Sequence, residues 1–262
     1  MPHADLAGAR LHYRLDGPED RPVLMLSHSL GTDMMMWDDV LPALVRQYRI
    51  LRYDMRGHGK SSMPPGPYTM ANLSEDVLAL LDALGVERCF FCGLSLGGMI
   101  GMWLGVHAPE RMDRMILANA AARIGTEETW NQRIERVLTV GMEPIADETL
   151  QRWFTPQFRE TSPARVDAMR KTLIETSAEG YASCCAAIRD MDLTTSLHLI
   201  QTPSLVMAGA LDPVTTPSAG RFLAQKMQQA TYVELNAAHI SAVEQSDDFS
   251  HAALNFLAGQ ER

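Results

Sequence analysis

The sequence predicts an α/β fold: a mostly parallel central sheet flanked by helices, with an inserted helical segment. Three observations carry this. Short, nearly continuous apolar runs of strand length recur, among them residues 23–26, 89–92, 115–118 and 205–208, and strands apolar throughout are those buried on both faces of a parallel sheet. Between them stand stretches with the apolar spacing of an amphipathic helix. The alternation stops at about residue 120 and resumes at about residue 202, across a stretch with no convincing strand. The 262 residues fit one large domain, or one domain with an insertion. The predicted division is a sheet core of residues 1–120 and 196–262, with a helical insertion over 121–195.

In chain order, residues 10–15 alternate like an antiparallel strand and end at Asp16-Gly17-Pro18. A buried strand follows at 23–26, then a helix over 37–46 with Trp37, Val40, Leu41, Leu44 and Val45 on its apolar side. Residues 49–53 form the next strand and Asp54 to Gly59 a turn. The clearest helix spans about 69–84: Thr69 is its N-cap, Gly85 stops it, and Leu73, Val77, Leu80, Leu81 and Leu84 make one stripe. The runs 89–92 and 115–119 are strands. Inside the insertion, helices start at Thr126 and at Ser162-Pro163, where proline takes the first helical position. Beyond it come a strand at 204–208, a helix at 217–227, a strand at 231–235 and a last helix over about 240–257.

Composition narrows the function. The net charge is −9 and hydrophobic residues make up 46%, so a large core can be buried and no basic stripe for nucleic acid is evident. No apolar run approaches the length of a membrane span, and Met1-Pro2-His3-Ala4-Asp5 lacks the pattern of a signal peptide. The expectation is a soluble cytoplasmic protein. Cys89 and Cys92, three apart on a strand, point to opposite faces. With adjacent Cys184 and Cys185 they are expected to be buried free thiols. The eight histidines show no ligand-like spacing, so neither metal nor cofactor is expected. The oligomeric state is not legible.

The chemistry centres on Gly93-Leu94-Ser95-Leu96-Gly97, between the apolar runs 89–92 and 99–104. The pattern is strand, tight turn, helix, with Ser95 at the apex. So sharp a turn needs small flanking residues, and the following helix aims its N–H groups and positive dipole end at the same spot. Alone, the pentapeptide reads equally as a glycine-rich turn with an incidental serine. A serine hydroxyl needs a base within reach, and the base an orienting carboxylate. In an open parallel sheet such groups converge at the carboxyl ends of the strands. Asp212 follows the strand at 204–208 and His239 the strand at 231–235. The order Ser95, Asp212, His239 is that of the α/β-hydrolases. The competing readings are a turn-forming Asp212 before Pro213 and a structural His239. The backbone N–H groups of Leu96 and Leu30 are the expected oxyanion-hole donors. His28 is expected to stabilise its own loop, and Asp54, Arg56 and His58 the turn beneath the site.

His28-Ser29-Leu30-Gly31-Thr32-Asp33, Asp54-Met55-Arg56-Gly57-His58-Gly59, Gly93-Leu94-Ser95-Leu96-Gly97-Gly98 and the run from Asn119 to Gly125 resemble one branch of the α/β-hydrolases. So do Trp153-Phe154-Thr155-Pro156, the run from Tyr181 to Asp190, and His239-Ile240-Ser241. That branch is the 3-oxoadipate enol-lactonases of the β-ketoadipate pathway. The sequence departs from it at Ser29, where many members carry glycine, and at Leu96, where many carry methionine. The resemblance implies a serine hydrolase that opens a small anionic enol-lactone through an acyl-serine. Such a substrate needs a cation and an apolar wall near the nucleophile. Arg123, Arg133 and Arg189 are the candidate cations, with Trp130 and Trp153 as candidate wall residues. A carboxylesterase or perhydrolase on small esters, or a ligand-sensing protein on a hydrolase scaffold, are the competing functions.

Overall fold

The computed structural model describes residues 2–259. Eight strands form the sheet: β1 (His3–Leu6), β2 (Ala9–Asp16), β3 (Val23–Ser27), β4 (Arg49–Tyr53), β5 (Cys89–Leu94), β6 (Met112–Ala118), β7 (Ser204–Gly209) and β8 (Ala230–Leu235). Their spatial order is β1-β2-β4-β3-β5-β6-β7-β8. The pairs β1–β2 and β2–β4 are antiparallel, and every pair from β4 through β8 is parallel. The inner parallel strands β3, β5 and β7 are apolar and buried almost throughout, as expected of strands covered on both faces. β1, short and carrying His3 and Asp5 on an edge, has no such signature and went unpredicted.

The helices are α1 (Leu41–Leu44), α2 (Met70–Ala83), α3 (Leu96–His107), α4 (Glu127–Val140), α5 (Ala146–Trp153), α6 (Pro156–Thr161), α7 (Pro163–Glu175), α8 (Ala178–Asp190), α9 (Pro217–Lys226), α10 (Ser241–Glu244) and α11 (Ser246–Leu257). Among the described residues, α4 to α8 and no strand lie between β6 and β7. Local sequence sets their ends. Thr69 and Asn72 close a capping box at the start of α2, and Thr126 and Thr129 close one on α4. α7 begins at Ser162-Pro163 as expected.

Two predicted helices are corrected. The expected 37–46 helix is a 3-10 turn over Met34–Trp37 followed by the single turn of α1. Pro42 has no N–H to donate to the preceding turn, Asp33 caps the 3-10 turn through Met35 N–H, and Trp37 is drawn fully into the core beside Phe249. The expected 240–257 helix breaks at Gln245, whose φ of −132° and ψ of 54° are not helical. The break falls just after Ser241 and Glu244, whose side chains are tied to Asn119 and Ala238.

Other buried polar groups fix the loops that carry the site. Arg52, with no exposed surface, donates to Asp16 at 2.8 Å and to Asp38 at 2.6 Å, and so pins the 3-10 turn against the sheet. All four cysteines are buried and unpaired, and burial pushes the thiols of Cys89 and Cys185 up to about 12. Among the described residues no helix is long and apolar enough to cross a membrane.

Candidate active site

Ser95 sits between β5 and α3 at φ 58° and ψ −114°, a conformation that costs a non-glycine residue on the order of 1–3 kcal/mol. The surroundings enforce it. Ser95 N–H is held by Ala118 O at 2.9 Å. A Cβ at Gly97 would collide with the carbonyl of Ser27, and one at Gly93 with that of Gly97. Sheet and helix therefore press together at the turn, and the serine side chain is left facing away from the sheet.

His239 Nε2 lies 2.9 Å from Ser95 Oγ, and His239 Nδ1 lies 2.8 Å from Asp212 Oδ2. All three residues are buried. An ionised carboxylate only accepts, so Nδ1 carries the proton and Nε2 is free to accept one from Ser95. Asp212 Oδ1 accepts from the N–H groups of Val214 and Thr215, and Oδ2 from Thr215 Oγ1 at 2.7 Å and Asn119 Nδ2 at 3.0 Å. Burial acts to raise the Asp212 pKa, but His239 and these donors outweigh it and hold the carboxyl below its ordinary value. Asn119, at φ 46°, also donates to Ala238 O, and its Oδ1 accepts from Ser241 Oγ at 2.5 Å.

Leu96 is the first residue of α3, so its N–H has no intrahelical acceptor. It points from the same helix end whose dipole favours negative charge. The loop after β3, which carries Leu30, is held by two imidazoles. His28 Nδ1 donates to Ser29 O at 2.8 Å while Nε2 accepts from Met55 N–H at 2.9 Å; His58 Nε2 accepts from Gly31 N–H at 3.0 Å. Burial lowers both pKa values, that of His58 to about 3 with His28 adding to the effect. Asp54 accepts from His12 Nδ1 and from the N–H groups of Met34 and Lys60, and Arg56 makes two 2.6 Å bonds to Asp76. These groups brace the turn, as expected, and none of them lines the site.

A cavity of about 60 Å³ opens over the serine, lined by Ser29, Leu30, Ser95 and His239 below and by side chains of α4, α5 and α8 above. That volume is far below the range of drug-sized sites. Arg133 enters from α4, donating to Tyr181 OH at 2.8 Å and Thr149 Oγ1 at 3.0 Å and stacking over the Tyr181 ring. Arg152, on α5, reaches the same Thr149 Oγ1 at 3.2 Å. Its pKa is lowered by burial and by the nearby Arg133 charge. Among the described residues, no carboxylate lies within ion-pair distance of Arg133, whereas Arg152 has Glu148. Trp130 and Trp153 supply apolar wall. The described residues include no cluster of three or more His, Cys, Asp or Glu able to hold a metal ion.

The sequence model for the alpha/beta hydrolase fold matches residues 22–245. The chain belongs to the alpha/beta hydrolase fold family. It is 46% identical to 3-oxoadipate enol-lactonase 2 of Acinetobacter baylyi over 92% of this chain and 91% of that protein. It is 40% identical to 3-oxoadipate enol-lactonase 1 of the same organism over 95% and 94% of the two chains. The crystal structure of the enol-lactonase from Burkholderia xenovorans LB400 superposes with a TM-score of 0.97 at 45% identity, covering 98% of this chain and all of that one.

Within this hydrolase fold, Ser95, Asp212 and His239 are brought together, and Leu30, Trp130, Arg133 and Trp153 line one cavity with Ser95 and His239. Arg123 and Arg189 are not there. Arg123 is exposed and pairs at 3.5 Å with Asp192. Arg189 is bound by the adjacent Asp190 and by Asn131. Arg123, in the loop between β6 and α4, and Arg189, near the end of α8, are engaged by these partners outside the cavity, so both are corrected as candidate substrate cations. Arg152, Thr149 and Tyr181 went unpredicted. Thr149, Arg152 and Trp153 sit three and four apart on α5, a spacing that puts them on one face and that could have found them.

Proposed function

We propose that this protein is a serine hydrolase that opens 3-oxoadipate enol-lactone to 3-oxoadipate through an acyl-Ser95 intermediate. The observation that carries the reading is the half-buried Arg133, without a carboxylate partner, in the same small cavity as a hydrogen-bonded Ser95–His239–Asp212 relay. The naming of relatives at 40–46% identity as 3-oxoadipate enol-lactonases supports the same substrate.

The steps follow from the geometry. Arg133, with Arg152 beside it, takes the substrate carboxylate, and Trp130 and Trp153 pack the ring. Ser95 Oγ attacks the lactone carbonyl as His239 Nε2 takes its proton, and Asp212 stabilises the imidazolium. The oxyanion is received by the N–H groups of Leu96 and Leu30. The ring C–O bond breaks, and the enol oxygen leaves with the proton from His239 and tautomerises to a ketone. The leaving group stays tethered to the acyl chain. Water, deprotonated by His239, then releases 3-oxoadipate and restores Ser95.

In this reading residues 121–195 act as a cap that selects the substrate, over a core made of residues 1–120 and 196–262. The unpaired cysteines suit a reducing compartment, the cytoplasm. The test is steady-state hydrolysis of 3-oxoadipate enol-lactone and phenyl acetate by purified protein, with and without EDTA. Many turnovers on the lactone, well above the rate on phenyl acetate and insensitive to EDTA, are expected. A preference for phenyl acetate points to a general carboxylesterase, and absence of turnover on both to a sensor.

A further inference from the structure

Glu244 ends α10, five residues beyond His239, and is buried. Its carboxylate bridges two parts of the chain. On one side it accepts from Ala238 N–H at 2.8 Å, directly before His239. On the other it accepts from Thr155 N–H at 3.2 Å and from the Thr155 hydroxyl. Thr155 joins α5 to α6, and its Oγ1 also caps α6 through Phe158 N–H. A parallel backbone tie runs beside this one, from Ile240 N–H to Trp153 O at 3.0 Å. Trp153 walls the cavity and His239 is its base, so the same few residues fix both. No cation lies within ion-pair distance of Glu244 among the described residues; the bonds its carboxylate accepts come from Thr155 and Ala238.

We infer that Glu244 is a positioning residue that locks the α5–α6 junction to the His239 loop, setting the Trp153 wall and the His239 base together. Asn119 and Asp212 hold the loop from beneath, through Ala238 O and the imidazole; Glu244 holds it from the side of the inserted helices. A carboxylate suits the task because it can accept from the amide and hydroxyl of Thr155 and from Ala238 at once. Glutamine keeps one acceptor oxygen, and alanine none.

The inference rests on the serine-hydrolase reading, and the test separates the two. Parent protein, Thr155→Val, Glu244→Gln and Glu244→Ala are compared in two measurements. One is the second-order rate at which a small fluorophosphonate phosphonylates Ser95, which reads the Ser95–His239 alignment without the lactone. The other is kcat and KM on 3-oxoadipate enol-lactone. Glu244→Ala is expected to slow phosphonylation about tenfold or more, the scale of one charge-assisted hydrogen bond, and to raise KM. Thr155→Val, which removes the hydroxyl tie to Glu244 and the α6 cap but leaves the Thr155 and Ala238 N–H groups on the carboxylate, is expected to raise KM while phosphonylation stays at the parent rate. Glu244→Gln should fall between. The inference is overturned if Glu244→Ala reacts at the parent rate with unchanged KM. Should that variant not fold, it is overturned if Glu244→Gln and Thr155→Val both leave the two measurements unchanged. A parent that does not react with the probe at all removes the underlying reading and the inference with it.

Discussion

At the scale of single residues, the site depends on two atoms, Ser95 Oγ and His239 Nε2, 2.9 Å apart. Ser95→Ala keeps the tight turn and removes the nucleophile. Its kcat on the lactone should fall by about 10⁴–10⁶ with the thermal melt unchanged. A variant retaining half the parent activity would point instead to water activated directly by His239. Asp212→Asn should lower kcat by about 10⁴, because a neutral amide no longer enforces the Nδ1–H tautomer. Steady-state kinetics near neutral pH reads this, and normal turnover would place the acid elsewhere. These residues were legible because each stands just beyond a strand that its apolar composition announces. Asn119, Thr215 and Ser241, which orient Asp212 and its loop, were not. They are small polar residues that occur in any turn, and only the fold brings them within 3.4 Å of the acid or its partners.

At the scale of elements, the loop after β3 is the piece whose rigidity has a measurable signature. His28 and His58 use neutral ring nitrogens as acceptors, and burial keeps them neutral. The His58 pKa drops from 6.5 to about 3 on folding. Between those values the unfolded chain binds a proton that the folded chain does not, so stability rises with pH across the window. The contribution is fully present above the unfolded value and is lost as pH falls toward 3. The expected slope is about 1.4 kcal/mol per pH unit for each such ring. Urea unfolding between pH 7 and pH 4.5 should show a falling midpoint, with a shallower slope in His58→Asn; a pH-independent midpoint would mean the rings are protonated in the fold. The elements themselves were mostly readable, since caps such as Thr69, Thr126 and Ser162 act locally. The 37–46 and 240–257 helices were misread because tertiary demands, a buried Trp37 and the ties of Ser241 and Glu244, override a local apolar pattern. Arg133 is marked out by helical phase: it shares a face of α4 with Trp130 and the buried Val137, at spacings of three and four, whereas Arg123 precedes the helix.

At the scale of the whole molecule, an acidic chain of net charge −9 is read as acting on an anion. Its general field opposes the substrate, so local charge must supply the selectivity. In the proposed reading Arg133 and Arg152 do this, in the cavity that the inserted helices form over the nucleophile. A charged hydrogen bond of about 1.5–3 kcal/mol corresponds to roughly 10–150-fold in kcat/KM. The most direct measurement is the ratio of kcat/KM for 3-oxoadipate enol-lactone to that for α-angelica lactone, which has the same enol-lactone ring but no carboxylate, in the parent and in Arg133→Met. The parent should favour the anion by about tenfold or more, and Arg133→Met should lose most of that preference while turning over the neutral lactone as before. An anion preference that survives Arg133→Met unchanged, or a parent with no such preference, would contradict the assignment of this cavity to an anionic lactone.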